Sequence, residues 1–255
     1  MPNSVTVVVA AMDEENTIGD VIRRCQPFAR HIVVVDGHSR DQTAGIAASL
    51  GVEVIRQGGR GKGDALRCAI SRVTTDMVVF IDADGSHVPE DIPKLIAPIL
   101  KNEADHVSAS RLMGGSEELH GGLAELARLI GAATITVLIN LRFRVRLSES
   151  QNGFRAIRTD VLRELSLCSK GTTIEQEMIM ATLRLGYRMA EVPSHELPRR
   201  FGESHIRLHS AWLPYVLNLF RNLLSKRSRR VARRPGIART RPPASSALVR
   251  RNVHR

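Results

Sequence analysis

The sequence predicts an α/β fold, a mostly parallel sheet with helices on both faces, and three observations carry that expectation. Runs rich in β-branched residues, Val5-Thr6-Val7-Val8-Val9, His31-Ile32-Val33-Val34-Val35 and Val78-Val79-Phe80-Ile81, lack polar alternation and suit strands buried on both faces. Segments with helical spacing of apolar residues separate the runs, so strand and helix alternate as far as Arg111. The runs also end in carboxylates: Asp13, Glu14 and Glu15 follow the first, Asp36 the second, and Asp82 and Asp84 the third. Open α/β sheets bind ligands at the carboxyl ends of their strands, so these charges arrive where they can act.

Taken in order, the first strand covers about residues 5–10 and leads through the acidic stretch into a helix carrying Ile18, Val21 and Ile22. Carboxylates ahead of a helix complement its dipole, and here they also stand at the ligand edge. The strand at 31–35 ends in Asp36, and an Ala-rich helix then runs to Gly51, a suitable C-terminal stop. A strand at 52–55 gives way to Gly58-Gly59-Arg60-Gly61-Lys62-Gly63, ahead of a helix carrying Leu66, Ala69 and Ile70. Such a loop can wrap a phosphate with main-chain N–H groups, or be a flexible turn with a solvated lysine. Gly63 stands where a P-loop requires Ser or Thr, and the spacing does not fit Gly-x-Gly-x-x-Gly, which counts against an NTPase and a dinucleotide enzyme. After the strand at 78–81, Pro89 opens a helix, and residues 105–111 read as a further strand ending in Arg111.

Beyond this point the alternation loosens. A long helix is expected over 121–141, and its uncharged part, 129–141, is about 20 Å long, too short to cross a bilayer. Arg142, Arg144 and Arg146 follow, so this helix is either buried or lies in a membrane interface. Helices are expected from about residue 159 and over 174–185, with 186–193 as a turn and an edge strand closed by Pro193. The segment 211–224 holds the only Trp, Trp212, and a basic flank, suiting either a headgroup-level helix or a terminal helix packed on the domain.

Charge is placed unevenly along the 255 residues, whose formal net charge is +11. Residues 226–255 hold 11 of the 37 Lys and Arg and none of the 26 Asp and Glu, so residues 1–225 are charge-balanced. A folded polyanion-binding domain is therefore excluded, and specific nucleic-acid binding is not expected. The tail reads as disordered, able to dwell on anionic lipid or to touch RNA weakly. Cys25, Cys68 and Cys168 form no paired motif, which fits a reducing compartment. The chain enters its first strand without a basic leader, so a cytoplasmic protein is expected, peripherally associated with the cytoplasmic face of the membrane.

The chemistry centres on Asp82-Ala83-Asp84. Two carboxylates one residue apart at a strand end suit Mg²⁺ or Mn²⁺ carrying a diphosphate, although an Asp-Gly turn accounts for the pair equally well on its own. Seven motifs now stand in order: the first-strand carboxylate turn; Asp36-x-x-Ser39-x-Asp41-x-Thr43; Gly61-Lys62-Gly63-x-Ala65-x-Arg67; Asp82-x-Asp84; Ser110-Arg111; Gly153-Phe154-Arg155; and Glu191-Val192-Pro193 leading to Arg200-x-Gly202-x-Ser204. This set, over about residues 5–210, resembles the family-2 glycosyltransferases of GT-A fold, and within them the polyprenyl-phosphate (dolichol-phosphate) hexosyltransferases. The resemblance implies that Glu14, Asp36, Gly61, Lys62, Gly63 and Asp82 hold a nucleotide sugar, GDP-mannose or UDP-glucose. It implies a metal at Asp82, Asp84 and Ser86, and catalytic roles for Asp84, Arg111, Arg155 and Arg200 around sugar, diphosphate or acceptor phosphate. Polyprenyl phosphate is the implied acceptor; a hydroxyl acceptor on a soluble molecule or a protein would instead need a base, with Glu149 or Glu177 first to test. The implied organisation is a transferase domain over 1–210, a possibly interfacial helix over 211–225 and the basic tail. A non-catalytic membrane- or RNA-binding protein acting through that tail is the alternative of another class.

Overall fold

The computed structural model describes residues 5–117, 123–198 and 208–225. Arg200 and residues 226–255, to which the sequence assigns a catalytic role and a basic tail, lie outside the described residues. Seven strands form one sheet: β1 Val5–Ala11, β2 His31–Asp36, β3 Glu53–Arg56, β4 Met77–Asp82, β5 His106–Ser110, β6 Arg155–Arg158 and β7 Met189–Pro193. Their spatial order is β3-β2-β1-β4-β6-β5-β7. All pairings are parallel except those of β6, which runs against both β4 and β5.

The helices are α1 Ile18–Cys25, α2 Thr43–Ser49, α3 Lys62–Ile70, α4 Ile92–Leu100, the single turn α5 Arg111–Gly114, α6 Leu123–Phe143, α7 Thr159–Glu164, α8 Ile174–Leu185 and α9 Leu208–Leu224. They cover both faces, as expected. Because successive strand side chains point to opposite faces, Val7, Val9, Val34, Val79 and Ile81 pack in one core with Ile18, Ile22, Ile92 and Leu95. Val8, Val33, Val35, Val78 and Phe80 pack in the other with Leu66, Ala69, Leu162 and Met178. Burial on both faces explains the continuous β-branched runs in the sequence.

Strand β6 is absent from the sequence-based reading, which passes from Gly153 directly to a helix. It is four residues long, contains two arginines, and is held between two long strands, so tertiary pairing and not local propensity makes it a strand. Its reversed direction places its N-terminal end, with Gly153 and Phe154, beside the carboxyl end of β4.

A third core joins α6, α8 and α9 through Ile135, Ile139, Phe143, Ile179, Leu183 and Leu219. Helix α9 starts at Leu208, three residues before the expected segment, and is packed on the body: Gln176 Nε2 donates to the Tyr215 carbonyl and to Asn218. Arg142 Nε donates to the Leu223 carbonyl, tying the end of α6 to the end of α9. The outer sides of the two helices stay apolar, with Ile130, Val137, Leu141, Leu217, Phe220 and Leu224 all more than half exposed. No helix among the described residues is long and apolar enough to cross a membrane.

At the edge of the sheet away from the strand-end carboxylates, Asp105 accepts hydrogen bonds from the Arg188 main-chain N–H and guanidinium, and Arg158 Nε lies 3.6 Å away. Asp105→Ala would take the carboxylate partner from both partly exposed arginines, at the start of β5 and β7 and the end of β6, and leave them their bonds to Asn102 and the Ile99 carbonyl. We expect a loss of about 2 kcal/mol in unfolding free energy, read from urea denaturation.

Candidate active site

The strand register assembles the site. Ala11 on β1 pairs with Asp36 on β2, and Ala10 pairs with Asp82 on β4, so two carboxylates flank β1 at its carboxyl end. The loops that follow are laced together: Asp13 N–H donates to Ser39 Oγ, Glu14 N–H to Thr43 Oγ1 and Glu15 N–H to Asp41. In return Arg40 N–H donates to Asp13 Oδ1 and Gln42 N–H to Glu15. The expected acidic first turn of α1 is therefore a loop brace. Glu14 stands before the helix, accepting from Thr17 Oγ1, and Asp13 has left-handed φ of +58°.

Asp36 is buried, with Oδ1 accepting from Ser39 N–H and Arg56 Nε 3.9 Å from Oδ2. Gly37 follows it in contact with β1; an added Cβ would sit 3.2 Å from the Ala11 carbonyl oxygen and 3.1 Å from Met12 Cβ.

Asp82 is the most heavily engaged carboxylate. Lys62 Nζ reaches its two oxygens at 2.7 and 2.8 Å, and His87 Nε2 lies 3.5 Å from Oδ2. The His87 ring is itself stacked on Phe154. Burial works against the Asp82 charge, but the Lys62 ammonium and the His87 hydrogen bond outweigh it and hold the carboxyl far below the usual carboxylate range. Lys62 behaves reciprocally. Burial opposes its charge, yet Asp82 and Glu175, whose Oε1 is 2.6 Å away, hold the ammonium above the usual lysine range. Asp84 is buried at the turn after β4, its Oδ1 accepting from both Ser86 N–H and Ser86 Oγ. Gly85 supplies the positive φ, +75°, on which that turn depends.

Of the two readings of the Gly-rich loop, a main-chain phosphate cradle loses several of its donors, with Gly59 N–H bonded to Asp64. Gly63 N–H and Asp64 N–H both donate to the Lys170 carbonyl. The glycines serve close packing instead: a Cβ on Gly61 would lie 2.6 Å from the Lys170 oxygen, and one on Gly63 would lie 2.1 Å from the Ser169 oxygen. The loop's contribution to the site is the side chain of Lys62.

Of the expected arginines, Arg111 reaches the site. Its Nε is 2.6 Å from Glu149 and its Nη1 2.8 Å from Glu196, with a quarter of the side chain exposed. Burial raises Glu149 above the usual range despite this partner. Arg155 is fully buried and donates to the main-chain carbonyls of Glu175 and Asn152, so it supports the site from beneath and does not present its guanidinium to a substrate. Glu177 is also turned away. It accepts from Cys168 N–H, Ser169 N–H and Arg221, which removes it as a base. Two residues along is a rotation of about 200° on a helix, so Glu175, and not the expected Glu177, faces the site. His87 is the second residue that reading missed; nothing in its local sequence signals its stacking on Phe154.

A model of the glycosyl transferase family 2 matches residues 6–166, and the chain belongs to that family. It is a glycosyltransferase, and the non-catalytic reading through the tail falls. An uncharacterised protein of Methanocaldococcus jannaschii is 32% identical over 75% of this chain and 80% of its own length. A dolichyl-phosphate hexose transferase of Haloferax volcanii is 29% identical over 75% of this chain and 82% of its own. Among solved structures, glucosyl-3-phosphoglycerate synthase from Mycobacterium tuberculosis, in complex with Mn²⁺, UDP and glucosyl-3-phosphoglycerate, superposes with a TM-score of 0.72 at 23% identity, covering 87% of this chain and 80% of that one. The fold is thus the GT-A fold that the motif order implies.

Because the carbonyl facing Gly63 is main chain and cannot swing away, Gly63→Ala must push α3 from the 169–171 segment and displace Lys62. We expect a stability loss of about 1–3 kcal/mol, read by thermal denaturation, together with reduced nucleotide binding.

Proposed function

We propose that the protein is an inverting, metal-dependent hexosyltransferase that moves mannose or glucose from GDP-mannose or UDP-glucose to a polyprenyl phosphate at the cytoplasmic face of the membrane. The observation that carries this reading is the presence, on one body, of an Asp-x-Asp strand end and an exposed apolar face on α6 and α9. The dolichyl-phosphate hexose transferase of Haloferax volcanii supports the acceptor class.

The donor set fits a divalent ion. Among the described residues no cluster of three or more His, Cys, Asp or Glu could hold a metal alone. Mg²⁺ and Mn²⁺ sites of nucleotide enzymes commonly use one or two carboxylates, with substrate phosphates and water completing the shell. Asp84 would be the principal protein ligand, oriented by Ser86; Asp82, neutralised by Lys62, would serve the nucleotide side. When bound, such an ion stabilises the negative charge that develops on the departing nucleoside diphosphate.

A phosphomonoester acceptor has a second pKa of about 6, by analogy with phosphoserine, and is largely a dianion at neutral pH. It attacks without a protein base, and direct displacement inverts the anomeric carbon. Arg111, a quarter exposed, and Arg200 would balance the acceptor and donor phosphates. Glu149 favours a second reading, transfer to a hydroxyl on a soluble or protein acceptor. Its burial raises its proton affinity toward that of a general base, although the Arg111 ion pair opposes this.

The apolar face supports a peripheral membrane contact. Leu217, Phe220 and Leu224 on α9 and Ile130, Val137 and Leu141 on α6 are exposed, while Arg142 and Arg221 lie toward the ends of their helices. The basic residues of 226–255 would add attraction to anionic lipid.

Three outcomes would test this. Incubated with a panel of nucleotide sugars and polyprenyl phosphates, the protein should yield a lipid-linked hexose phosphodiester by mass analysis, and a hydroxyl-linked glycoside in its place would establish the second reading. Asp84→Asn should cut transfer on the order of a thousandfold with an unchanged thermal midpoint; undiminished turnover removes the metal assignment. Replacing Leu217, Phe220 and Leu224 together by Ser should weaken cosedimentation with anionic vesicles at least about tenfold, whereas equal binding would place the membrane contact elsewhere.

A further inference from the structure

We propose that Glu175 is a positioning residue for donor binding: it holds the Lys62 ammonium against Asp82 and thereby fixes the Asp82 carboxylate for the nucleotide sugar. This rests on the reading of the strand-end cleft as the nucleotide-sugar site. Glu175 lies in the first turn of α8 and is 6% exposed. Its Oε1 is 2.6 Å from Lys62 Nζ, and that ammonium reaches both Asp82 oxygens.

The contact is built by three separate parts of the fold. Lys62 opens α3, Asp82 ends β4, and Glu175 comes from a helix 113 residues away from Lys62. The Lys62 main chain is held in place by its neighbours, since Gly63 and Asp64 N–H groups grip the Lys170 carbonyl. Gly153 closes the other side: an added Cβ would stand 2.5 Å from Asp82 Oδ2 and 2.6 Å from Lys62 Nζ. The cluster therefore has no spare volume in which the ammonium could take a second position while both carboxylates keep it.

Without Glu175 the constraint fails in a defined way. A lysine side chain carries much rotamer entropy, and a single carboxylate partner restrains it less than two. Arg155 stays beneath the cluster, because it donates to the Glu175 main-chain carbonyl, which a side-chain substitution leaves intact. Lys62 would then keep Asp82 as its carboxylate partner, and the ammonium, no longer pulled from its other side, would sample more than one position on that carboxylate. Asp82 would lose its fixed orientation, although neither Glu175 nor its substitute touches the donor.

The test is calorimetric titration of the full chain with UDP and with GDP in the presence of Mn²⁺, which requires no acceptor. Glu175→Gln keeps the shape and removes the charge. We expect it to weaken the preferred nucleotide about tenfold, the scale of one charge-assisted hydrogen bond, and in turnover to raise the donor KM more than it lowers kcat. Lys62→Met should weaken binding as well, and Lys62→Met with Glu175→Gln should bind no more weakly than Lys62→Met alone. Unchanged affinity in Glu175→Gln, or two effects that multiply in the double variant, would overturn the proposal. Should Glu175→Gln not fold, Glu175→Asp retains the charge but falls short of Lys62, and wild-type affinity in that variant would overturn it equally. Wild-type protein that bound neither nucleotide would overturn the donor reading itself, and this assignment with it.

Discussion

The site depends on balancing negative charge that the sheet topology gathers in one place. Parallel strands deliver their loops to a common edge, and here those loops bring Asp36, Asp82 and Asp84, joined by Glu149 and Glu175 from later in the chain. Charges of one sign at short range destabilise a fold unless each has a partner. Lys62 sits between Asp82 and Glu175, Arg111 between Glu149 and Glu196, and Arg155 lies beneath with its donors on main-chain carbonyls. The Lys62 pairing keeps Asp82 ionised while it is buried, whereas burial raises Glu149 above the usual range despite its arginine. On the proposed reading, the same buried anions would face a cation that carries the donor's diphosphate.

Strand β6 is what brings these pairs within reach of each other. Running antiparallel between β4 and β5, it aligns Phe80 with Arg155 and so returns the segment 152–154 to the ligand edge. Gly153 then lies against the Lys62–Asp82 pair, and Phe154 provides the face on which His87 stacks. A parallel strand in that position would have delivered its other end. The local sequence contributes only the small residue and the aromatic; the direction of the strand gives them their place.

Much of the fold was legible because its information is local and repeated. β-Branched runs with helical segments between them specify the parallel half through β5, and the ends of β1, β2 and β4 fall within a residue of the expected positions. The site was legible in part. The register places Asp36 and Asp82 on either side of β1, as motif order implies, and Ser86 turns out to orient Asp84. What stayed hidden depends on long-range packing. The glycines around Lys62 read as a phosphate loop or a flexible turn, but the Gly63 and Asp64 N–H groups are spent on the Lys170 carbonyl, over a hundred residues away. Glu175 and Glu177 are indistinguishable in sequence, since only the rotation of α8 against the sheet decides which faces Lys62 and which faces Arg221. Arg155 reads as a substrate cation because its burial cannot be seen from a Gly-Phe-Arg triplet.

The two ends of the proposed reaction place opposite demands on the protein, and two separate regions would answer them. The donor side is rigid: laced loops, buried ion pairs and glycines that leave no room for a side chain fix the polar groups before a ligand arrives, which lowers the reorganisation needed in the transition state. The acceptor of the proposed reaction has a charged head and a long apolar tail, and a rigid polar cleft could satisfy only the head. Arg111 is a quarter exposed beside Glu149 and Glu196, and the residues after it, Leu112 and Met113, are more than half exposed. Helices α6 and α9, held together by Arg142, extend an apolar face on the same body. A membrane surface there would keep the tail in lipid, so that the enzyme need bind only the phosphate. On the proposed reading, that division lets a charge-balanced domain with no crossing helix among its described residues act on a lipid-linked phosphate.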